Sequence, residues 1–347
     1  MEVTSLGLDQ SVLCDDFLHR NDNALIHYSG AYMRFLSRSI PKAELQYFSA
    51  FDGDRLIGVV PFARLDDPKL GTVINSLPFF GSHGGVLVDK DLPDGGSGVL
   101  NSLYESFLAE SQNCGAATVT FIENSFYPLS NSAISRLDLD VVDDRIGQIT
   151  SLPAGGDIEE KLFASFHVKT RNAIRKGQKS GQIIELCENV ENLAWLQCVH
   201  EQSIRSLGGV PKTLEIFESL IAEFPLGTSS RLYVGRIDGE PVSGLLLLLY
   251  QDMVEYFTPV AVEEHRDKQV LSGLIFRAMT ELAKEGYRAW NWGGTWRSQE
   301  GVYRFKSRWG AAECPYRYFN RLTDSNFKSH SREVLNQAFP FFYLFKY

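Results

Sequence analysis

Cysteine and histidine are scarce in this 347-residue chain, with five of the first and seven of the second, and neither is clustered. Cys14, Cys114, Cys187, Cys198 and Cys314 are odd in number, lie far apart and form no Cys-x-x-Cys pair. This excludes a disulfide framework and a zinc knuckle, and fits reduced thiols in a cytoplasm. No His-x-His or His-Glu-x-x-His pattern occurs, so no metal site is expected. Positive charge is short as well: 34 Lys and Arg face 43 Asp and Glu, a net −9. Such a chain has no general attraction to DNA or to acidic membranes. The longest apolar run, Val242–Tyr250, falls far below the ~20 residues that span a bilayer and reads as a buried strand. The start, "MEVTSLGLDQ", is acidic and lacks a signal-peptide core, so a cytoplasmic location is expected. There is no Gly-x-Ser-x-Gly, no Cys–His pairing and no carboxylate pair at a telling spacing, which argues against a covalent enzyme intermediate.

What is present is a folded composition, 44% hydrophobic and 22% charged, at a length that suits two domains. The chain repeats itself. "LQYFSAFDGDRLIGVVPFARL" (Leu45–Leu65) and "RLYVGRIDGEPVSGLLLLLY" (Arg231–Tyr250) each place Asp-Gly between apolar strands. That spacing predicts hairpins with type I′ turns at Asp52-Gly53 and Asp238-Gly239. Each hairpin is followed by an amphipathic helix ending at glycine (Ser97–Gly115, Leu271–Gly286) and another strand. The order predicts two copies of one mixed α/β domain with an α+β mixed sheet, 1–152 and 153–322, divided near "SLPAGGD". Residues 323–347 form a tail whose aromatics are expected to pack back on the body, the alternative being a peripheral membrane contact. In "MVEYFTPVAV" (Met253–Val262), Pro259 interrupts a strand and predicts a bulge or splay there.

Three stretches carry a family likeness: "SLPFFGSHGGVLVD" (Ser76–Asp89), "VKTRNAIRKGQKSG" (Val168–Gly181) and "FKSRWGA" (Phe305–Ala311). With the repeated hairpin–strand–helix–strand order they resemble tandem GNAT-like domains of the FemAB and BioF2-like acyltransferases. The resemblance implies an N-acyltransferase that uses small-molecule donor and acceptor. Acyl-CoA is the expected co-substrate, with no tightly bound cofactor. The implied acceptor is the amine of an activated sugar or cell-envelope precursor, as in polysaccharide biosynthesis. Two alternatives stay open: an aminoacyl-tRNA-dependent enzyme acting on a peptidoglycan precursor, and a non-catalytic binding protein on the same scaffold.

The resemblance also assigns residues. Lys306 is expected at the reacting centre, facing a cavity while Phe305 and Trp309 anchor its segment, and Glu255 is the candidate base. The donor is expected at a splay beside Met253–Val262, with Val260 and Ala261 supplying backbone N–H groups, and at the start of the following helix. There Lys268, Gln269, Val270 and Ser272 would meet its phosphates, with Phe305 nearby. This stretch departs from the usual GNAT glycine loop. The acceptor is expected against His83 and Asp89, in a glycine segment where Gly81, Gly84 and Gly85 admit close backbone approach. Arg171, Arg175 and Arg205 would bind its anionic part, with Tyr303 alongside.

Overall fold

Asp238 and Gly239 both take left-handed backbone, with φ of 52° and 86°. This is the pair of positive φ values that a type I′ turn requires, and Ile237 and Glu240 close it. The earlier Asp-Gly acts one position later than expected. Asp52 pairs with Arg55, so the loop is Gly53-Asp54, and of these two only Gly53 has positive φ, at 58°. Glycine alone supplies the left-handed residue, and the type I′ expectation at Asp52-Gly53 is corrected accordingly.

In this computed structural model the described residues are 1–77, 79–81, 83–296 and 298–345. The chain forms two compact units, Met1–Gly147 with Cys314–Tyr347, and Gln148–Glu313. These limits fall inside strands, five residues upstream of 152/153 and nine upstream of 322/323. The first unit holds β1 (Glu2–Leu6), α1 (Ser11–His19), α2 (Gly30–Ser39), β2 (Glu44–Asp52), β3 (Arg55–Asp67), β4 (Gly71–Ser76), β5 (Leu87–Val88), α3 (Ser97–Asn113), β6 (Thr118–Ile122) and α4 (Asn131–Ile134), and it ends within β7 (Val141–Ser151). The second holds α5 (Ile158–Ser165), α6 (Val168–Gln178), β8 (Ile183–Cys187), α7 (Glu191–Ser206), α8 (Leu214–Glu223), β9 (Ser230–Ile237), β10 (Glu240–Tyr250), β11 (Met253–Ala261), α9 (Val270–Glu285), β12 (Ala289–Trp296) and α10 (Glu300–Ser307). The chain returns to the first unit within β13 (Ala312–Leu322), followed by α11 (Arg332–Ala338).

The first unit's sheet runs β1-β2-β3-β4-β6-β13, with β5 beside β3, and the second's runs β8-β9-β10-β11-β12. Each contains an antiparallel meander and one parallel pair, β4 with β6 and β11 with β12, and in the first unit β13 adds antiparallel to β6. A parallel pair needs a crossover, and α3 and α9 supply it. The mixed α/β repeat expected from the sequence is thus present in both units.

In the second unit, α9 presents Leu274, Ile275, Ala278, Met279 and Leu282 to Leu245, Leu247 and Leu249 of β10, with Val254, Trp290 and Trp292 in the same core. Gly286, at φ 102°, ends the helix. Strand side chains alternate between faces, so Leu246 and Leu248 point away from α9. A Cβ on Gly244 would lie 2.8 Å from Trp195 and 3.3 Å from Leu196. Helix α7 therefore covers the face opposite α9.

In the first unit the tail is fixed by Thr118 Oγ1 and Asn320 Nδ2, which donate to Leu344 O at 2.7 and 3.0 Å. Phe342, Leu344 and Phe345 are buried there. Lys346 and Tyr347 lie outside the described residues.

Candidate active site

Strands β11 and β12 pair for only three positions, Met253 with Ala289, Val254 with Trp290 and Glu255 with Asn291, although both continue for several residues. At the last pair, Asn291 Nδ2 donates to Glu255 Oε1 at 3.0 Å, and Asn291 Oδ1 accepts the Gly293 N–H at 3.0 Å. Beyond this point the ladder between the two strands ends. Gly293 turns to φ 74°, a conformation open to glycine at little cost.

The displaced end of β12 is held by Lys306. Its Nζ donates to Gly293 O (3.2 Å), Gly294 O (2.9 Å) and Thr295 Oγ1 (2.9 Å). An ammonium has three N–H donors, and all are used. Lys306 is buried at 7% exposure, and burial lowers its pKa to about 8. The expectation of a lysine facing a cavity is corrected: the ammonium is spent on three acceptors at the end of β12. Its neighbours behave as the helical spacing predicts. Phe305 and Trp309 meet edge to face at 6.2 Å, and both rings contact Trp292.

Glu255 is 6% exposed. Burial raises its carboxyl to about 7, against the Asn291 bond, which pulls it down. A buried carboxyl poised near neutrality is suited to take up and release a proton. Among the described residues no donor reaches its Oε2.

The bulge expected at Pro259 lies at Phe257, because Leu246 faces Thr258 while Leu247 faces Tyr256. Pro259 itself stays in register opposite Leu245. Val262 N–H donates to Val242 O at 3.0 Å, and amide directions alternate along a strand. Val260 N–H therefore points toward β10 and is occupied by the ladder. Positions 259 and 261 point the other way, where β12 has departed. Proline costs nothing there, and Ala261 keeps the N–H that faces the opening.

Gln269 and Ser272 at the start of α9, Lys169 and Thr170 of α6, and Phe305 and Arg308 around α10 line one cavity of about 200 Å³. This brings together three of the expected donor residues, Gln269, Ser272 and Phe305. Val270 is fully buried in the core, so its side chain is unavailable. Lys268 is half-buried, in the turn before α9. Two larger cavities, of about 510 and 610 Å³, lie along α9 against α5 and α6, away from the splay.

The expected acceptor residues are each held by neighbours within their own unit. His83 is buried, neither a surface turn residue nor exposed to a ligand. It packs between Phe126 and Tyr316, its Nδ1 lies 3.3 Å from Ser125 Oγ, and burial lowers its pKa to about 4. Asp89 is tied to Arg55 at 2.7 Å and to the Asp91 amide. Burial pushes its carboxyl up, but these bonds outweigh it and hold it below the usual range. Gly85 serves the chain rather than a ligand, since a Cβ there would lie 2.0 Å from Ile122 O.

The arginines are engaged locally. Arg171 donates to Ala164 O and Phe166 O at the end of α5. Arg175 stacks on Phe163 at 4.9 Å, and Arg205 pairs with Glu201 on the surface of α7. Tyr303 donates its hydroxyl to Glu313. Sequence reasoning missed Asn291, Gly293 and Thr295. The signal for them was the pair of glycines inside an otherwise apolar strand, "NWGGTW".

Residues 164–307 match the family model described as an acetyltransferase (GNAT) domain. No curated protein matches the chain. Among solved structures, FemX is similar at a TM-score of 0.68 and 14% identity, over 98% of this chain and 100% of that one. L-PGS from Bacillus licheniformis gives 0.53 and 12%, over 96% of each chain. A tandem GNAT protein from the clavulanic acid biosynthesis pathway gives 0.50 and 12%, over 92% of this chain and 98% of that one. Among the described residues, no helix is long and apolar enough to cross a membrane.

Proposed function

We propose that this chain, a GNAT-type acyltransferase with a FemX-like fold, transfers an acyl group from a thioester, acyl-CoA, to an amine, with Glu255 as general base. The observation that carries this reading is the buried Glu255 at the point where β11 and β12 part. The donor's phosphates would sit in the cavity at the start of α9, where helix amides and Lys169 and Arg308 favour an anion. Its acyl carbonyl would enter the splay, with Ala261 N–H donating to the oxygen that becomes negative. The amine nitrogen forms the C–N bond as the C–S bond breaks. Glu255 takes the amine proton, and the departing thiolate is protonated from solvent. Lys306 keeps the splay open.

Acyl-CoA is preferred to aminoacyl-tRNA because the chain is acidic and the cavity offers two cations rather than a broad basic face. The acceptor amine is proposed to belong to an activated sugar or cell-envelope precursor, on resemblance alone. A thermal-shift panel of acetyl-CoA, longer acyl-CoAs, nucleotide sugars and charged tRNA tests the donor, since a ligand of the native state raises the midpoint. Acyl-CoA should raise it, and Ser272→Trp, which fills the cavity, should remove the effect. A midpoint raised only by charged tRNA would overturn the donor assignment.

A further inference from the structure

The second unit contains one more partly buried ammonium, and among the described residues no acceptor meets it. Lys212 lies between α7 and α8. Its backbone is pinned from α7: its N–H donates to His200 Nε2 at 3.2 Å, and its carbonyl accepts Gln197 Nε2 at 3.4 Å. Burial lowers the His200 pKa to about 4, so the ring is neutral and can accept that bond. The Lys212 side chain lies over two rings, 4.9 Å from Phe257 and 5.9 Å from Phe217. Among the described residues no carboxylate or carbonyl meets its Nζ. Burial alone lowers its pKa, to about 8. Lys306, the more buried of the two, has three acceptors. Rings attract a cation, but they leave its N–H donors without an anionic partner.

The location gives this ammonium a use. Phe257 is the bulged residue of β11, two positions after Glu255. Glu255 faces Leu248 and Thr258 faces Leu246, so both lie on the sheet face opposite α9, which α7 covers. Thr258 is 1% exposed, and among the described residues its Oγ1 has no partner. The donor cavity is lined by α6, α9 and α10. The face with Glu255, Thr258 and Lys212 is therefore the side left for the second substrate.

We propose that Lys212 binds the carboxylate of the acyl acceptor, so that the amine acylated beside Glu255 belongs to an amino-acid-like molecule. Among the described residues no second cation acts on this ammonium, which matches a single negative charge. A phosphate dianion would call for more. The proposal rests on the acyl-transfer reading for the identity of the amine, but its test is a binding test.

The full chain is titrated by calorimetry with matched acids and amides: glycine and glycinamide, β-alanine and β-alaninamide, γ-aminobutyrate and its amide, L-alanine and L-alaninamide. Inorganic phosphate is the control anion. At least one acid should bind tenfold or more tightly than its amide, and Lys212→Met should bring that acid down to the amide. Equal binding within every pair, no binding by any acid, a preference that survives Lys212→Met, or phosphate binding through Lys212 better than every acid would each overturn the proposal. If Lys212→Met does not fold, NMR titration of Lys212 in the unaltered chain decides: its pKa should rise when the acid is bound, and an unmoved pKa overturns the proposal. Acids that bind through Lys212 with no acyl transfer would remove the transfer reading alone. Transfer to amines without an acid preference would remove this proposal alone.

Discussion

Asn291 Nδ2 donates to Glu255 Oε1 at 3.0 Å at the last paired position of two strands that then separate. The bond favours the ionised carboxylate, while burial favours the neutral acid. Replacing Asn291 with Ala should therefore move the Glu255 pKa above about 7. The acidic limb of the pH–rate profile should shift to higher pH, with the plateau reduced less than the midpoint moves. An unshifted limb would separate Asn291 from the titration.

Lys306→Met leaves Gly293 O, Gly294 O and Thr295 Oγ1 without their donor. A buried acceptor left unpaired costs about 1–3 kcal/mol, so denaturant unfolding should show a loss of at least that size, together with reduced turnover. The pH dependence has a definite sign. The folded pKa of Lys306, about 8, lies below its ordinary value of 10.5. The unfolded chain thus binds more protons between these values, and stability from this group rises with pH across that window. The difference in stability between the unaltered chain and Lys306→Met should widen from pH 8 to 10. A constant difference would contradict the burial of the ammonium.

His27 and His83 are buried in the first unit, with pKa values lowered by burial to about 3 and about 4. Below the ordinary value of 6.5 the unfolded chain takes up protons that the native unit refuses, so stability falls as pH drops from 6.5 toward 4. Glu255 acts in the opposite direction between 4.5 and about 7, because its folded pKa is raised. Comparing the chain with His83→Asn isolates the histidine: chemical denaturation at pH 7.5 and 5 should show a smaller acid loss in the variant. An equal loss would mean that His83 titrates normally.

Arg171 caps the end of α5, and Arg205 forms an exposed pair one helical turn away from its partner. Arg171→Ala should cost about 1 kcal/mol of stability, and Arg205→Ala should leave the unfolding midpoint unchanged. Neither should alter the acceptor KM. A selective rise in that KM for either variant would restore the role in acceptor binding expected from the sequence.

The repeated hairpins and crossover helices were legible because Asp-Gly turns and apolar periodicity are local signals. The placement of Glu255 on a strand and of Gln269 and Ser272 at the start of a helix was legible from apolar periodicity. The contacts of Lys306 were not, because adjacency in "FKSRWG" says nothing of three acceptors on strand β12, eleven to thirteen residues back. His83 and Asp89 misled for a related reason: a glycine-rich segment reads as an open loop, whereas Gly85 here lets the chain press against its own Ile122 carbonyl. Pro259 signalled the splay correctly but not its place. The bulge sits at Phe257, and the proline only fills a position whose N–H would have faced the opening.

The most direct test of the account is the pH dependence of kcat/KM for acyl transfer, measured by thiol release from acetyl-CoA with the best amine found in an acceptor panel. The unaltered chain should show one ionisation near 7, with activity rising as Glu255 loses its proton. Glu255→Gln keeps the Asn291 contact and removes the base, so it should lose at least about a hundredfold and show no ionisation near 7. A Glu255→Gln variant with near-normal activity, or one that retains the same ionisation, would contradict the assignment of Glu255 as the base.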